Sequence, residues 1–237
     1  MLETNKIYQG DCIEVLKTFP DESVDFVLTD PPYNVNLEYT EIEDNMDDER
    51  YSDWCFEWLK ELYRVLQNGC YAIVFTGDKK LFYIMKAIYK TDFIFHHFLK
   101  WNKPDCQRGL SGTVLFYRTE LAFVLSKGKS DIKRIDRKTL YADTLIYRNT
   151  KPNDKFNAVN HNARRPIPLY RQIIKGFGGN VVLDCFMGSG TTAVACKQLG
   201  KEFIGIELSK EYCEIIKKRL SQETLNTDGG KFFSSQP

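Results

Sequence analysis

Short, almost continuously apolar runs recur along this chain, each separated from the next by a stretch of helical periodicity, and that alternation constrains its fold most. Residues 24–29 (VDFVLT) and 71–75 (YAIVF) lack the regular in–out pattern of a strand with one wet face, as expected of parallel strands covered on both sides. Between them, residues 53–66 carry Cys55, Leu59, Leu62 and Leu66 at helical spacing and stop at Asn68-Gly69. Leu81, Ile84, Met85 and Ile88 repeat the pattern. Further strands are predicted over 93–101, 121–125, 181–185 and 203–207. Further helices are predicted over 168–177, over about 191–200, and from a Ser209 cap to about residue 220. Such alternation without internal repeats predicts an open, doubly wound α/β sheet, whose working groups gather beyond the carboxyl ends of the strands where the strand order reverses. Residues 1–220 are expected to form one domain, and the polar run 221–237 to be a flexible tail.

Composition excludes several classes. A formal charge of +1 gives no global field for a polyanion. Seven scattered cysteines without a C-x-x-C pair read as free thiols in a reducing compartment, and the three histidines lack metal-ligand spacing, so no metal is expected. The start, MLETNKIYQGD, has no charged-then-apolar leader, and no apolar run approaches the roughly 18 residues of a membrane span. These features lead us to expect a cytoplasmic protein without a membrane partner. Charge is uneven, however. Residues 127–175 hold thirteen Lys/Arg against four Asp/Glu, and the part from 127 to about 165 is expected to be a basic insertion that contacts nucleic acid, a solvated basic face being the alternative. Residues 33–53 hold eight acids and only Arg50, so that loop is not expected to lie on phosphates; 102–112, with Arg108, is a second candidate contact.

Two stretches carry chemistry. In VLTDPPYNVN, residues 27–36, a buried strand ends on Asp30 and passes into Pro31, Pro32 and Tyr33. Two prolines remove two N–H donors, which leaves carbonyl oxygens and a carboxylate beside an aromatic face, a setting for a flat, amino-bearing ligand. Ordinary turn chemistry is the alternative. In VVLDCFMGSGTTAVACKQLG, residues 181–200, a strand, Gly188-Ser189-Gly190 and a helix form a ligand loop at a helix N-terminus. It satisfies G-x-G-x-x-A, with Glu207 where a ribose-binding acid belongs, so a dinucleotide competes. Asp184 would repel a pyrophosphate and attract a cationic ligand such as S-adenosylmethionine.

D-P-P-Y followed by D-x-F-x-G-S-G-T-T resembles the amino-group DNA methyltransferases, in the "beta" motif order. Gly10-Asp11-Cys12 with Leu16, and RTELAFVLSKG at 118–128, are similar to further family segments. HNARRP at 161–166 stands where the family usually has H-P-T-Q-K-P and departs from it at Asn162, Ala163, Arg164 and Arg165. Cys185 replaces a usual proline. The resemblance implies a circularly permuted, mostly parallel seven-stranded sheet with an antiparallel edge hairpin. It also implies S-adenosylmethionine as cofactor, double-stranded DNA as partner, and room for a homodimer. It places Asp30, Pro31, Pro32 and Tyr33 in catalysis. Gly188 and Gly190, with Thr191 and Thr192, would approach the methionine moiety, Asp184 its ammonium, and Glu207 the ribose; Phe186 would line the pocket. Asp11 would meet the adenine amine, an exposed helix cap being its alternative.

The delocalised lone pair of an exocyclic amine makes it a poor nucleophile. Acceptance of one N–H by Asp30 and the other by the Pro31 carbonyl would release that pair toward the methyl, while Tyr33 stacks on a flipped base. Adenine N6 is the expected acceptor. Alternatives are cytosine N4, an RNA or protein amino group, and an inactive DNA-binding module of the same fold.

Overall fold

The computed structural model describes residues 2–35, 45–106, 118–130, 135–140, 142–148 and 165–227. Its elements are β1 (Lys6–Gln9), α1 (Cys12–Lys17), β2 (Val24–Thr29), α2 (Asp48–Val65), β3 (Leu66–Thr76), α3 (Leu81–Tyr89), β4 (Phe93–Asn102), β5 (Thr119–Lys127), β6 (Thr144–Ile146), α4 (Ile167–Phe177), β7 (Val181–Asp184), α5 (Thr191–Gln198), β8 (Glu202–Glu207) and α6 (Lys210–Thr227). They form one sheet in the order β1-β8-β7-β2-β3-β5-β4-β6. Parallel pairing joins β1 through β3. β5 runs antiparallel to both β3 and β4, and β6 pairs parallel to β4.

The continuous apolar runs are explained by cover on both faces. Val27 of β2 enters a core with Leu16 of α1, Trp58, Leu59 and Leu62 of α2, and Ile84 of α3. Its neighbours Phe26 and Leu28 enter the opposite core with Leu169 and Ile173 of α4, Ala195 of α5 and Ile216 of α6. Complete burial of Phe26, Val27 and Leu28 is worth roughly 1.5–3 kcal/mol for each side chain.

Four expected boundaries shift. Helix α2 starts at Asp48 rather than residue 53, because Asp47 caps it by accepting from Arg50 N at 3.0 Å. It passes without a loop into β3 at Leu66, so Asn68-Gly69 lies inside a strand, where Gly69 takes φ +79° and the pairing of β2 with β3 slips. The sheet has eight strands rather than seven, β6 being formed within the basic insertion, and the β4–β5 hairpin is therefore flanked on both sides. Helix α6 continues to Thr227, so residues 221–227 are helical rather than tail.

The acidic run gains a structural role where it is described. Asp48, Glu49 and Asp53 pair with Lys80, Lys86 and Lys90, joining α2 to the segment around α3. Glu38, Glu41, Glu43 and Asp44 lie outside the described residues, as do 107–112, Tyr141 and residues 149–164, on which much of the expected DNA contact falls. All seven cysteines are buried and none is in a disulfide. Among the described residues no helix is long and apolar enough to cross a membrane.

Candidate active site at the switch point of the sheet

From the β7–β2 border the chain crosses in opposite directions, from β7 to β8 on one side and from β2 to β3 on the other. The loops after β7 and β2 therefore diverge and leave a crevice between them. Both sequence motifs begin there. Thr29, the last residue of β2, donates to Asp184 Oδ1 at 2.9 Å, which joins the two strand ends directly. The Thr29 hydroxyl also meets Cys185 Sγ at 3.4 Å, so the thiol at the family's proline position is accommodated.

The glycine loop is held from three sides. Thr192 donates to Asp184 Oδ2 at 2.5 Å and Phe186 N to Oδ1 at 3.1 Å. Gly188 N donates to Glu207 Oε2 at 2.7 Å, and Ser209 N to Oε1 at 2.8 Å. Arg219 of α6 donates to the carbonyl and hydroxyl of Ser189. Gly188 and Gly190 are left-handed, at φ +52° and +81°. A Cβ on Gly190 would come within 2.7 Å of Ile216. Phe186 packs on Trp54 and Trp58 of α2, with ring centroids 5.6 and 5.4 Å apart.

Two of the expected cofactor residues, Asp184 and Thr192, face the protein interior. Asp184 is only 3% exposed, and both its oxygens already accept from the protein. It braces the loop, and burial pushes its carboxyl up to about 6. Thr192 is fully buried with its hydroxyl on Asp184, so it too faces inward. Asp11 fills the exposed cap role, its Oδ1 accepting from Ile13 N at 2.9 Å and Glu14 N at 3.1 Å. It still lies at the same edge, since the adjoining Gly10 N donates to the Glu207 carbonyl at 3.0 Å.

Across the crevice, Tyr33 donates its hydroxyl to Asp30 Oδ1 at 2.5 Å. Burial pushes the Tyr33 phenol up, with Asp30 and Glu120 adding to the effect against Arg165, so the hydroxyl keeps its proton. The Tyr33 ring lies against Gly77, where any Cβ would approach it to 2.9 Å. Tyr51 of α2 donates to the Pro32 carbonyl at 3.0 Å. No donor among the described residues reaches the Pro31 carbonyl. Asp30 and that carbonyl thus form a pair of acceptors on a rigid backbone.

Sequence reasoning misses the other half of this cluster. Arg165 donates from Nε to Asp30 Oδ2 at 2.6 Å and from Nη2 to Tyr33 at 2.8 Å, and pairs through Nη1 with Glu120. Glu120 also accepts from Lys103 at 2.6 Å. Burial works against the Glu120 carboxylate, yet Arg165 and Lys103 together hold it below its usual range. By its place in the chain Arg165 belongs to the basic run expected to face DNA, but it is turned inward with a side chain only 12% exposed. The one available signal is Glu120 itself, an acid placed beside an apolar strand.

The DNA methylase family model for N6 and N4 methyltransferases matches residues 24–218. Type II methyltransferase M.HpaI of Haemophilus parainfluenzae is 31% identical over 234 residues, covering 90% of this chain and 73% of that protein. The crystal structure of the M1.HpyAVI–SAM complex superposes with a TM-score of 0.73 at 26% identity, covering 91% of this chain and 98% of the other. The PvuII cytosine-N4-specific DNA methyltransferase shares the fold, with a TM-score of 0.76 at 21% identity, covering 96% and 92%. With both motifs brought together at the switch point, the chain belongs to the N6/N4 methyltransferase family of DNA methylases.

Proposed function

We propose that the chain transfers the methyl group of S-adenosylmethionine to adenine N6 in double-stranded DNA, with Asp30 and the Pro31 carbonyl as the acceptors that activate the amine. The observation that carries this reading is the Thr29–Asp184 hydrogen bond, which makes the acceptor loop and the glycine loop one mechanical unit. The residues present suit the cofactor. Left-handed Gly188 lets backbone come close, Glu207 offers carboxylate oxygens beside it, and Phe186 gives an aromatic wall braced by Trp54 and Trp58. Asp11 stands at the same edge for the adenine amine. When bound, the cofactor supplies an electrophilic methyl on a cationic sulfur.

Asp30 and the Pro31 carbonyl accept hydrogen bonds from the two amine N–H groups and so return the lone pair to nitrogen; only one of those protons is lost once the methyl group is on nitrogen. Asp30 also sets a negative charge where the amine turns positive in the transition state, an interaction that strengthens as the reaction proceeds. A base must leave the duplex to reach them, at a cost of a few kcal/mol. Stacking on Tyr33 returns about 1–3 kcal/mol. Tyrosine rather than serine after the prolines favours adenine over cytosine.

The test is incorporation of tritiated methyl from the labelled cofactor into unmethylated double-stranded DNA, followed by digestion to nucleosides. N6-methyl-2′-deoxyadenosine is expected. N4-methyl-2′-deoxycytidine would move the acceptor to cytosine, and DNA binding without incorporation would indicate an inactive module.

A further inference from the structure

We infer that Arg165 is a positioning residue for methyl transfer: its guanidinium, held by Glu120, fixes the direction of the Asp30 carboxylate and the plane of Tyr33. The inference rests on the assignment of Asp30 as an acceptor and goes beyond it, because Arg165 itself touches no reacting atom.

The geometry is that of a three-way fork. Nε goes to Asp30, Nη2 to the Tyr33 hydroxyl and Nη1 to Glu120, so one planar group reads three acceptors. Tyr33 holds Asp30 Oδ1 while Arg165 holds Oδ2. With each oxygen pinned by a different donor the carboxylate cannot rotate, and since an ionised carboxylate has about four acceptor sites, the unused ones point in a fixed direction. Arg165 is itself fixed. Its guanidinium carbon lies 5.4 Å from the centroid of Phe75 and 5.3 Å from that of Trp101. Lys103, 4% exposed, holds the far side of Glu120 and lies 5.3 Å from the same Trp101 ring.

Topology explains why this is possible. Trp101 pairs with Glu120, and Leu121 with Thr76. Antiparallel β5 therefore starts at the edge where β2, β3 and β4 end, and Glu120 is delivered beside the acceptor loop.

Stability is a poor reason for such a cluster. Buried ion pairs repay their desolvation only weakly, and apolar packing of the same volume often does as well. Fixed geometry is what the fork provides, and prearranged acceptors are what the reaction needs. Lysine cannot substitute fully, since a single ammonium does not reproduce a fork aimed at three partners.

Single-turnover methyl transfer on DNA, with the DNA KM and cofactor Kd, should be measured for wild type, Asp30→Ala, Arg165→Met, Arg165→Lys and Glu120→Gln. Arg165→Met should lose on the order of 10²-fold in rate, as displaced catalytic groups do, with DNA KM and cofactor Kd little changed. Arg165→Lys should fall between that variant and wild type, with its melting temperature near wild type. Glu120→Gln should show a smaller loss in the same step. If Arg165→Met does not fold, the lysine and glutamine variants decide by the same criteria. Rates at or above wild type would overturn the inference by making Arg165 a lock that the base displaces. A loss carried by DNA KM would overturn it by making Arg165 a phosphate contact. In either case an inactive Asp30→Ala leaves the acceptor assignment standing; an active one removes that assignment instead.

Discussion

The residues proposed to do chemistry differ in how openly the sequence shows them. Asp30 and the loop from Asp184 to Thr192 announce themselves because their neighbours along the chain create the setting: a buried strand before, rigid or left-handed backbone after. Arg165 is legible only in three dimensions, since it lies 135 residues from Asp30 and its meaning is given by Glu120 and Trp101. Sequence pattern singles out Asp184 as a partner for a cation, and the structure adds that both its oxygens accept from the protein. Burial still gives it a consequence for binding. Its folded value of about 6 stands above the ordinary carboxylate value, so between roughly pH 4 and 6 the folded protein holds a proton that the unfolded chain has released. Ionised Asp184 is a cost of order 3 kcal/mol, absent below the unfolded value and complete once pH has risen through the folded one. A cationic cofactor nearby favours the ionised form. Cofactor binding near pH 5.5 should therefore release up to about one proton, fading toward neutral pH. Calorimetry in buffers of different ionisation enthalpy measures this, and binding with no proton change at any pH would uncouple Asp184 from the cofactor.

At the scale of elements, strand–helix alternation is readable because the central strands β2, β3 and β7 are apolar on both faces, while helices such as α2 and α4 bury one face. The boundaries are not. The start of α2 depends on a cap at Asp47 within a run of acids that all look alike in sequence, and its junction with β3 needs no turn residues. β6 is three residues long and exists only through pairing with β4. The β7–α5 connection is the element on which the site most depends, and it has little tolerance. Gly190→Ala would place a side chain at φ +81° and within 2.7 Å of Ile216. The backbone term alone costs about 1–2 kcal/mol. The variant should melt several degrees lower and bind S-adenosylmethionine more weakly. Adding Ile216→Ala should relieve the clash without restoring full cofactor affinity. Unchanged melting and binding in the Gly190→Ala protein would show that the loop has slack the structure does not display.

For the whole molecule, motifs far apart along the chain meet on neighbouring strands of the sheet. The strand that carries the glycine loop is seventh in sequence, yet it lies beside β2 at the switch point, so early and late segments close one crevice. The Thr29–Asp184 contact ties the two loops across it, and the Asp30–Arg165 contact ties the acceptor loop to the segment before α4, each more than a hundred residues apart in sequence. Sequence pattern can indicate both loops but not that they touch, because contact is a property of sheet order. Asp30 is proposed to act on the amine and not on the cofactor. Single-turnover methyl transfer by Asp30→Ala, measured beside its cofactor Kd, tests this most directly. The predicted result is a rate loss of order 10³-fold or more with cofactor affinity nearly unchanged. A variant that methylates DNA at near the wild-type rate, or one whose defect lies in cofactor affinity, would contradict it.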